Sequence, residues 1–168
     1  GSLGRMKSQV LAHNPALVLV CFGLNDVNGT LEDYISSPRT IFEECNNRGI
    51  QTIFMTPNML NTYVAEDTEE CFLDYAAKTA EMQISGRMDK YMNTACDLAN
   101  SMGVEVCDCY SKWKEISKTE DTTLLLANRI NHPTREMHEL FADSLFDVIF
   151  KDKPEITESR FGTMYNDK

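Results

Sequence analysis

Apolar residues form three short runs along the chain, and each run is followed by turn-forming residues. The runs lie at 17–22 (LVLVCF), 50–55 (IQTIFM) and 104–108 (VEVCD). Apolar segments of four to eight residues between turn signals are typical of strands in a parallel sheet. We therefore predict three strands. The first, Leu17–Phe22, is uninterrupted and is predicted to be buried on both faces.

Between these runs, apolar residues recur at helical spacing. Helices are predicted at 6–13, from Thr30 to Arg48 with an interruption at Pro38, over 67–102 with a split near Gly86, at 110–117 and at 134–150. Because strands and helices alternate, the connections should be right-handed parallel crossovers. The predicted fold class is α/β, a three-layer α/β/α sandwich with a parallel sheet. We expect one domain at 1–150 and a polar C-terminal tail at 151–168.

Composition narrows the classes of partner. The formal net charge is −10, which argues against nucleic acid and anionic membrane surfaces. No apolar run approaches the roughly 18 to 20 residues that span a bilayer. Six scattered cysteines favour reduced thiols in a reducing compartment, and hence a cytoplasmic location. Cys107 and Cys109 are the only close pair, with a poor spacing for a metal, so no metal or cofactor is predicted.

Two segments carry candidate chemistry. Gly23-Leu24-Asn25-Asp26 follows the first strand, at the sheet edge where parallel α/β proteins bind ligands. Gly23 permits close backbone approach, and Asn25 supplies an amide donor of the kind that stabilises an oxyanion. Far downstream, His132 stands in a loop just before the closing helix, where an imidazole can act as a general base. Ordinary turn chemistry for the first segment, and helix capping for His132, are the alternatives.

Glycine-x-asparagine-aspartate after a strand, with a late histidine-proline before the last helix, resembles the SGNH (GDSL-type) hydrolases. The resemblance implies a serine esterase with a flavodoxin-like fold, acting on small acyl esters such as acetylated sugars. It places Gly23 and Asn25 in the oxyanion hole, makes His132 the base and leaves Asp26 to hold the loop. Two of the four motif blocks of the family are present.

The chain departs from the family pattern at two points. The family has aspartate three residues before the histidine, whereas this chain has Arg129, which cannot accept a hydrogen bond. Asn128, Asn131 or a backbone carbonyl are the alternative acceptors. The nucleophilic serine precedes the Gly-x-Asn-Asp block, where this chain offers only Ser2 and Ser8, neither in a matching context.

We therefore expect the serine and the first two strands of the fold to lie outside this chain. Without them, Leu17–Phe22 would be an open, apolar sheet edge, which favours pairing with another strand. The expected partners are a small-molecule ester and either the missing N-terminal segment or a second chain beside Leu17–Phe22. A non-catalytic binding module that keeps this fold is the alternative function. Nucleotide binding is disfavoured, because 23–29 lacks the second glycine of a dinucleotide fingerprint.

Overall fold

The central element is a three-stranded parallel sheet. The structure, a computed structural model, describes residues 2–151. Strands β1 (Leu17–Val20), β2 (Gln51–Met55) and β3 (Glu105–Cys107) pair in the order β1-β2-β3, all parallel. Leu17 lies opposite Gln51, and Ile53 lies opposite Glu105. The predicted parallel α/β sheet is therefore confirmed, with strands slightly shorter than their apolar runs.

Helices cover both faces of this sheet. They are α1 (Ser2–Gln9), α2 (Leu31–Asn46), α3 (Leu73–Ile84), α4 (Arg87–Ser101), α5 (Cys109–Ile116) and α6 (His138–Ile149). Short 3-10 helices occupy Leu11–His13, Asp26–Asn28 and Glu70–Phe72. On one face, Val20 and Phe54 pack into the main core formed with α1, α2 and α4. On the other face, Ile53 and Cys107 pack against α6. This gives the three layers that the sequence predicts.

β1 is not buried on both faces, which corrects the sequence-based expectation. It is an edge strand of the described sheet, as the second expectation for Leu17–Phe22 had it, and Leu19 is 42% exposed. Leu17 and Leu19 lie on the sheet face that α6 covers. However, α6 packs over β3, at the opposite edge of the sheet, so it leaves Leu19 exposed. Burial of a strand depends on its neighbours in space, which its own apolar run does not specify.

Pro38 does not interrupt α2, contrary to the prediction. The helix begins at the Thr30 N-cap, whose hydroxyl oxygen accepts a hydrogen bond from the Asp33 N–H, and runs through Pro38 to Asn46. Tyr34 precedes the proline, Phe42 follows it, and both are buried in the same core. Because both halves of the helix pack into this core, the helix stays continuous although Pro38 has no backbone N–H to donate.

The other helix boundaries follow local signals. Gly86, at φ +76°, separates α3 from α4 where the split was predicted. Asp108 caps α5 by accepting from the Ser111 N–H. The closing helix begins at His138 rather than at the predicted Thr134, because 135–137 form a turn first. Apart from Lys151, the predicted tail lies outside the described residues. No helix within 2–151 is long and apolar enough to cross a membrane.

Candidate active site

The loop after β1 presents the Asn25 side chain at the carboxyl edge of the sheet. Asp26 Oδ2 accepts a hydrogen bond of 3.0 Å from the Gly23 N–H, and the Gly23 carbonyl accepts one from Val27. These contacts close the loop on itself, as expected for Asp26. Asn25 is exposed, and its side-chain amide has no hydrogen-bond partner among residues 2–151. It is therefore a donor held at the rim and open to a ligand.

Gly23 cannot be replaced without strain. Its φ is +140°, a conformation that side-chain-bearing residues rarely adopt. A Cβ at this position would lie 2.5 Å from Met92 Cε and 3.3 Å from Pro57 Cγ. Because its N–H already donates to Asp26, Gly23 does not present the free oxyanion donor that the sequence led us to expect. Its observed role is to let the loop pass close to α4.

Helix α4 fixes the far end of the same loop. Arg87 Nε donates to the Val27 carbonyl at 2.8 Å, and Arg87 Nη2 donates to that of Gly29. The Tyr91 hydroxyl also donates to the Gly29 carbonyl, at 2.7 Å. Neither side chain was predicted from the sequence, since both lie some 60 residues from the loop and match no motif. They make the Asn25 loop a pre-organised element.

A buried phenol supports the beginning of the loop. Tyr34 stacks on Tyr91 with ring centroids 5.6 Å apart, and its hydroxyl donates to the Phe22 carbonyl at 3.2 Å. Burial raises the pKa of Tyr34, and the nearby Asp26 carboxylate raises it further. The phenol therefore stays protonated and keeps donating this hydrogen bond across the physiological pH range.

The loop that carries His132 is organised by one asparagine. Asn128 Oδ1 accepts hydrogen bonds of 3.0 to 3.1 Å from the backbone N–H groups of Ile130, Asn131 and His132. Asn128 Nδ2 donates to Asn131 Oδ1 at 3.0 Å. Both side-chain oxygens thus serve the loop itself, and neither contacts the imidazole. The His132 ring is exposed and has no hydrogen-bond partner in the described chain.

Arg129 ties this loop to a neighbouring one. Its Nε donates to both carboxylate oxygens of Asp67, at 2.9 and 3.1 Å, and its Nη1 donates to the carbonyls of Leu124 and Leu126. The backbone of Arg129 is left-handed, with φ +57°. At the position where the resembled family has an orienting acid, this chain therefore has a structural cation.

The segment after β2 joins the two candidate loops. Pro57 lies next to Gly23, since a Cβ added there would be 3.3 Å from Pro57 Cγ, while buried Asn58 donates through Nδ2 to the Asn131 carbonyl at 3.0 Å. Next along the chain, the Asn61 N–H donates to the Ile130 carbonyl at 2.9 Å. The Asn25 loop and the His132 loop thus flank the same segment at one edge of the sheet. The sequence marked this segment only as a turn.

The cysteine pair lies where β3 ends and α5 begins, packed against α6. The sulfur atoms of Cys107 and Cys109 are 3.8 Å apart and buried, and all six cysteines are free thiols. The hydrogen bond between the two thiols and burial together raise the pKa of Cys109. No group of three potential metal ligands occurs within residues 2–151.

Comparisons with known proteins place the fold. No protein-family model matches the chain, and no curated protein matches it in sequence. Solved structures do match. Axe2, an acetylxylan esterase from Geobacillus stearothermophilus, superimposes with a TM-score of 0.67 at 21% identity over 88% of this chain. The acetyl xylan esterase AlAXEase superimposes with a TM-score of 0.66 at 19% identity, again over 88% of this chain.

The chain has an α/β fold similar to that of these two acetylxylan esterases. At such low identity the likeness concerns the fold alone. The match spans 65% of the Axe2 chain and 73% of the AlAXEase chain. With this fold assigned, the carboxyl edge that bears Asn25 and His132 is the edge where an open parallel sheet places its ligand site.

The resembled family uses a serine nucleophile that precedes the Gly-x-Asn-Asp block. Ser8, one of the two serines that precede Gly23, lies in α1, where its hydroxyl donates to the Arg5 carbonyl. The side chain of Ser2 lies outside the described part of the structure. No serine hydroxyl within 3–151 hydrogen bonds to the His132 imidazole.

Proposed function

We propose that this chain provides the base and the oxyanion donor of a serine esterase acting on small acyl esters, including acetylated carbohydrates. The observation that carries the proposal is that the Asn25 amide and the His132 imidazole are both unpaired in the described chain. Both also lie on loops that flank the segment after β2. Similarity in fold to two acetylxylan esterases supports the substrate class.

In the proposed reaction, His132 accepts the proton from a serine hydroxyl as its oxygen attacks the ester carbonyl. Asn25 Nδ2 donates to the oxyanion that forms, and Gly23 shapes the loop so that the carbonyl can approach. His132 then returns the proton to the leaving alcohol, and water hydrolyses the acyl-enzyme with the same base. A single oxyanion donor of this kind is worth about 3–4 kcal/mol in the transition state. The reaction requires no cofactor.

The proposal assigns the serine to polypeptide outside these 168 residues that pairs beside β1. The free edge of β1 supports this, together with the exposure of Leu19. A groove of about 420 Å³ runs along that edge, lined mainly by apolar side chains that include Met6 of α1, Val10 just after α1, and Val18 of β1. An added strand would satisfy the backbone groups of β1 and cover this groove.

The proposed mechanism uses a serine–histidine dyad. Arg129 donates to Asp67 and to backbone carbonyls, so it cannot hold the imidazole as an acid would. Losing the orienting acid from a serine-protease triad costs about 10⁴ in rate. We therefore expect slow turnover compared with an intact triad, unless the added segment supplies an acceptor.

A non-catalytic binding module is the second candidate. The specific observation in its favour is the replacement of the acid by Arg129, whose Nε forms an ion pair with Asp67 that stabilises the loop rather than the imidazole. In such a module, Asn25 and His132 would bind an ester or acetylated sugar without cleaving it. Binding without turnover by the chain paired with its serine-bearing segment would favour this candidate.

Replacing single histidines tests the proposed base. In the chain paired with its serine-bearing segment, His132→Ala should abolish hydrolysis of p-nitrophenyl acetate. His138→Ala removes another exposed imidazole, at the start of α6, and should leave the rate unchanged. Equal rates for both variants would refute the role of His132. Turnover by the 168 residues alone that depends on His132 would place the nucleophile inside this chain.

The coding sequence before Gly1 tests the origin of the serine separately. The proposal expects an apolar strand that ends in Gly-Asp-Ser. If the natural coding sequence lacks such a strand, the esterase proposal fails and the binding module remains. Acetylated xylooligosaccharides then serve as the ligand in a calorimetric binding measurement.

A further inference from the structure

A cationic cavity lies next to the Asn25 loop, where α3 meets α4. Its volume is about 490 Å³, and its charged lining residues are Lys78, Arg87, Lys90 and Glu81. The lining therefore carries three positive charges and one negative charge, whereas the whole chain carries a formal charge of −10. The local charge is opposite to that of the chain, and it attracts small anions to this position.

Arg87 is held in a fixed orientation on one wall of this cavity. Its Nε and Nη2 atoms donate to the carbonyls of Val27 and Gly29, and Nη2 also donates to the Tyr91 hydroxyl at 2.9 Å. Its guanidinium carbon lies 5.0 Å from the centre of the Tyr91 ring. The remaining nitrogen, Nη1, has no hydrogen-bond partner within 2–151. A guanidinium fixed in this way loses little entropy when it binds an oxyanion.

The two lysines provide mobile charges at the opening. Lys78 lies on α3 and Lys90 on α4, and both are exposed. Neither forms a salt bridge with a described residue. Leu31, Met82 and Tyr91 add apolar atoms to the lining, which Ser85 and Gly86 complete. The cavity thus combines one rigid planar donor, two flexible ammonium groups and an apolar wall.

We propose that this cavity binds the carboxylate or phosphate group of a small ligand. Arginine and lysine donate charge-assisted hydrogen bonds to such oxyanions, and Arg87 Nη1 is the guanidinium nitrogen that is left to donate one. Because Arg87 also holds the Val27 and Gly29 carbonyls, the bound anion and the Asn25 loop share one side chain. Anion binding here does not depend on the esterase reaction and is testable without it.

Amide chemical shifts of the 168-residue chain, measured by NMR, provide the test. The chain is titrated with inorganic phosphate and, separately, with glucuronate, while sodium chloride keeps the ionic strength constant. We expect saturable shifts confined to amides of 78–91 and of the loop at 27–29. The double variant Lys78→Gln/Lys90→Gln should bind at least tenfold more weakly, since removing one charge-assisted hydrogen bond weakens binding by roughly tenfold.

The control is the double variant Lys7→Gln/Arg39→Gln, which removes the same charge from exposed positions of α1 and α2 away from the cavity. Its affinity should match that of the unmodified chain. Saturation with phosphate alone or with glucuronate alone supports the site and identifies the anion. Shifts that fail to saturate with either anion, or equal affinities of the two double variants, would overturn the proposal.

Discussion

Substituting Gly23 with alanine gives the sharpest test of how the Asn25 loop is built. Two costs add at this position. A φ of +140° disfavours any side chain, which costs about 1–3 kcal/mol. The new Cβ would also lie 2.5 Å from Met92 Cε and 3.2 Å from Met92 Sδ. Met92 is only 1% exposed, so it cannot swing into solvent, and overpacking of this kind costs about 1–3 kcal/mol.

Gly49→Ala is the matched control, because it separates the two costs. Gly49 also has positive φ, at +66°, but a Cβ there would meet no atom within 4 Å. Its substitution should cost about 1 kcal/mol from backbone strain alone. We therefore expect Gly23→Ala to lower the free energy of unfolding by about 3 kcal/mol, roughly 2 kcal/mol more than the control. Urea denaturation measures both values.

A double-mutant cycle with Met92→Ala then identifies the clash. Shortening Met92 removes the two atoms that the new Cβ would strike, so Gly23→Ala should cost only its backbone strain in that background. The predicted clash would be refuted if Gly23→Ala cost no more than Gly49→Ala. An unchanged cost of Gly23→Ala in the Met92→Ala background would refute the assignment to Met92.

Two further predictions concern the His132 loop and a buried thiol. Asn128→Ala removes the acceptor of three backbone N–H groups and should speed amide hydrogen exchange at 130–132 by roughly tenfold or more, whereas Asn128→Asp keeps an acceptor and should retain protection. Equal exchange in the two variants would contradict the role of Asn128. Burial, followed by the Asp108 and Asp97 carboxylates, raises the pKa of Cys96 to about 12, so iodoacetamide at pH 8 should modify exposed Cys71 well before Cys96. Because the unfolded thiol ionises at lower pH than the folded one, Cys96 should also make the free energy of unfolding fall as pH rises from about 9 towards 12, and Cys96→Ala should reduce that slope. Equal alkylation rates, or an unchanged slope, would contradict the shift.

Local signals predicted most elements correctly because they act over a few residues. Gly86 divides two helices through its own positive φ, and Thr30 caps the start of α2. The failures came where tertiary packing outweighed local preference. Pro38 stays inside α2 because buried residues anchor both halves of the helix.

In the candidate site as well, some residues could be identified from the sequence and others could not. Asn25 and His132 were identifiable from the sequence because the carboxyl end of a parallel strand and the start of the last helix are recognisable positions. The groups that hold their loops were not, since Arg87, Asn58 and Asp67 are each some 60 or more residues away from the loop they contact. Nothing near those residues in the sequence indicates such a contact.

The sequence by itself determined the alternation of strands and helices, the location of Asn25 at the carboxyl edge of the sheet, and the position of His132 in a loop. These features depend on the spacing of apolar residues and on turn-forming residues, which act within a few positions along the chain. Only the tertiary structure decided that Leu19 of β1 is exposed, that the Gly23 N–H is already bound, and that Arg129 pairs with Asp67. Each of these depends on which groups meet in space. Pairing order and side-chain partners are set by the packing of the whole chain, and a pattern within one segment does not specify them.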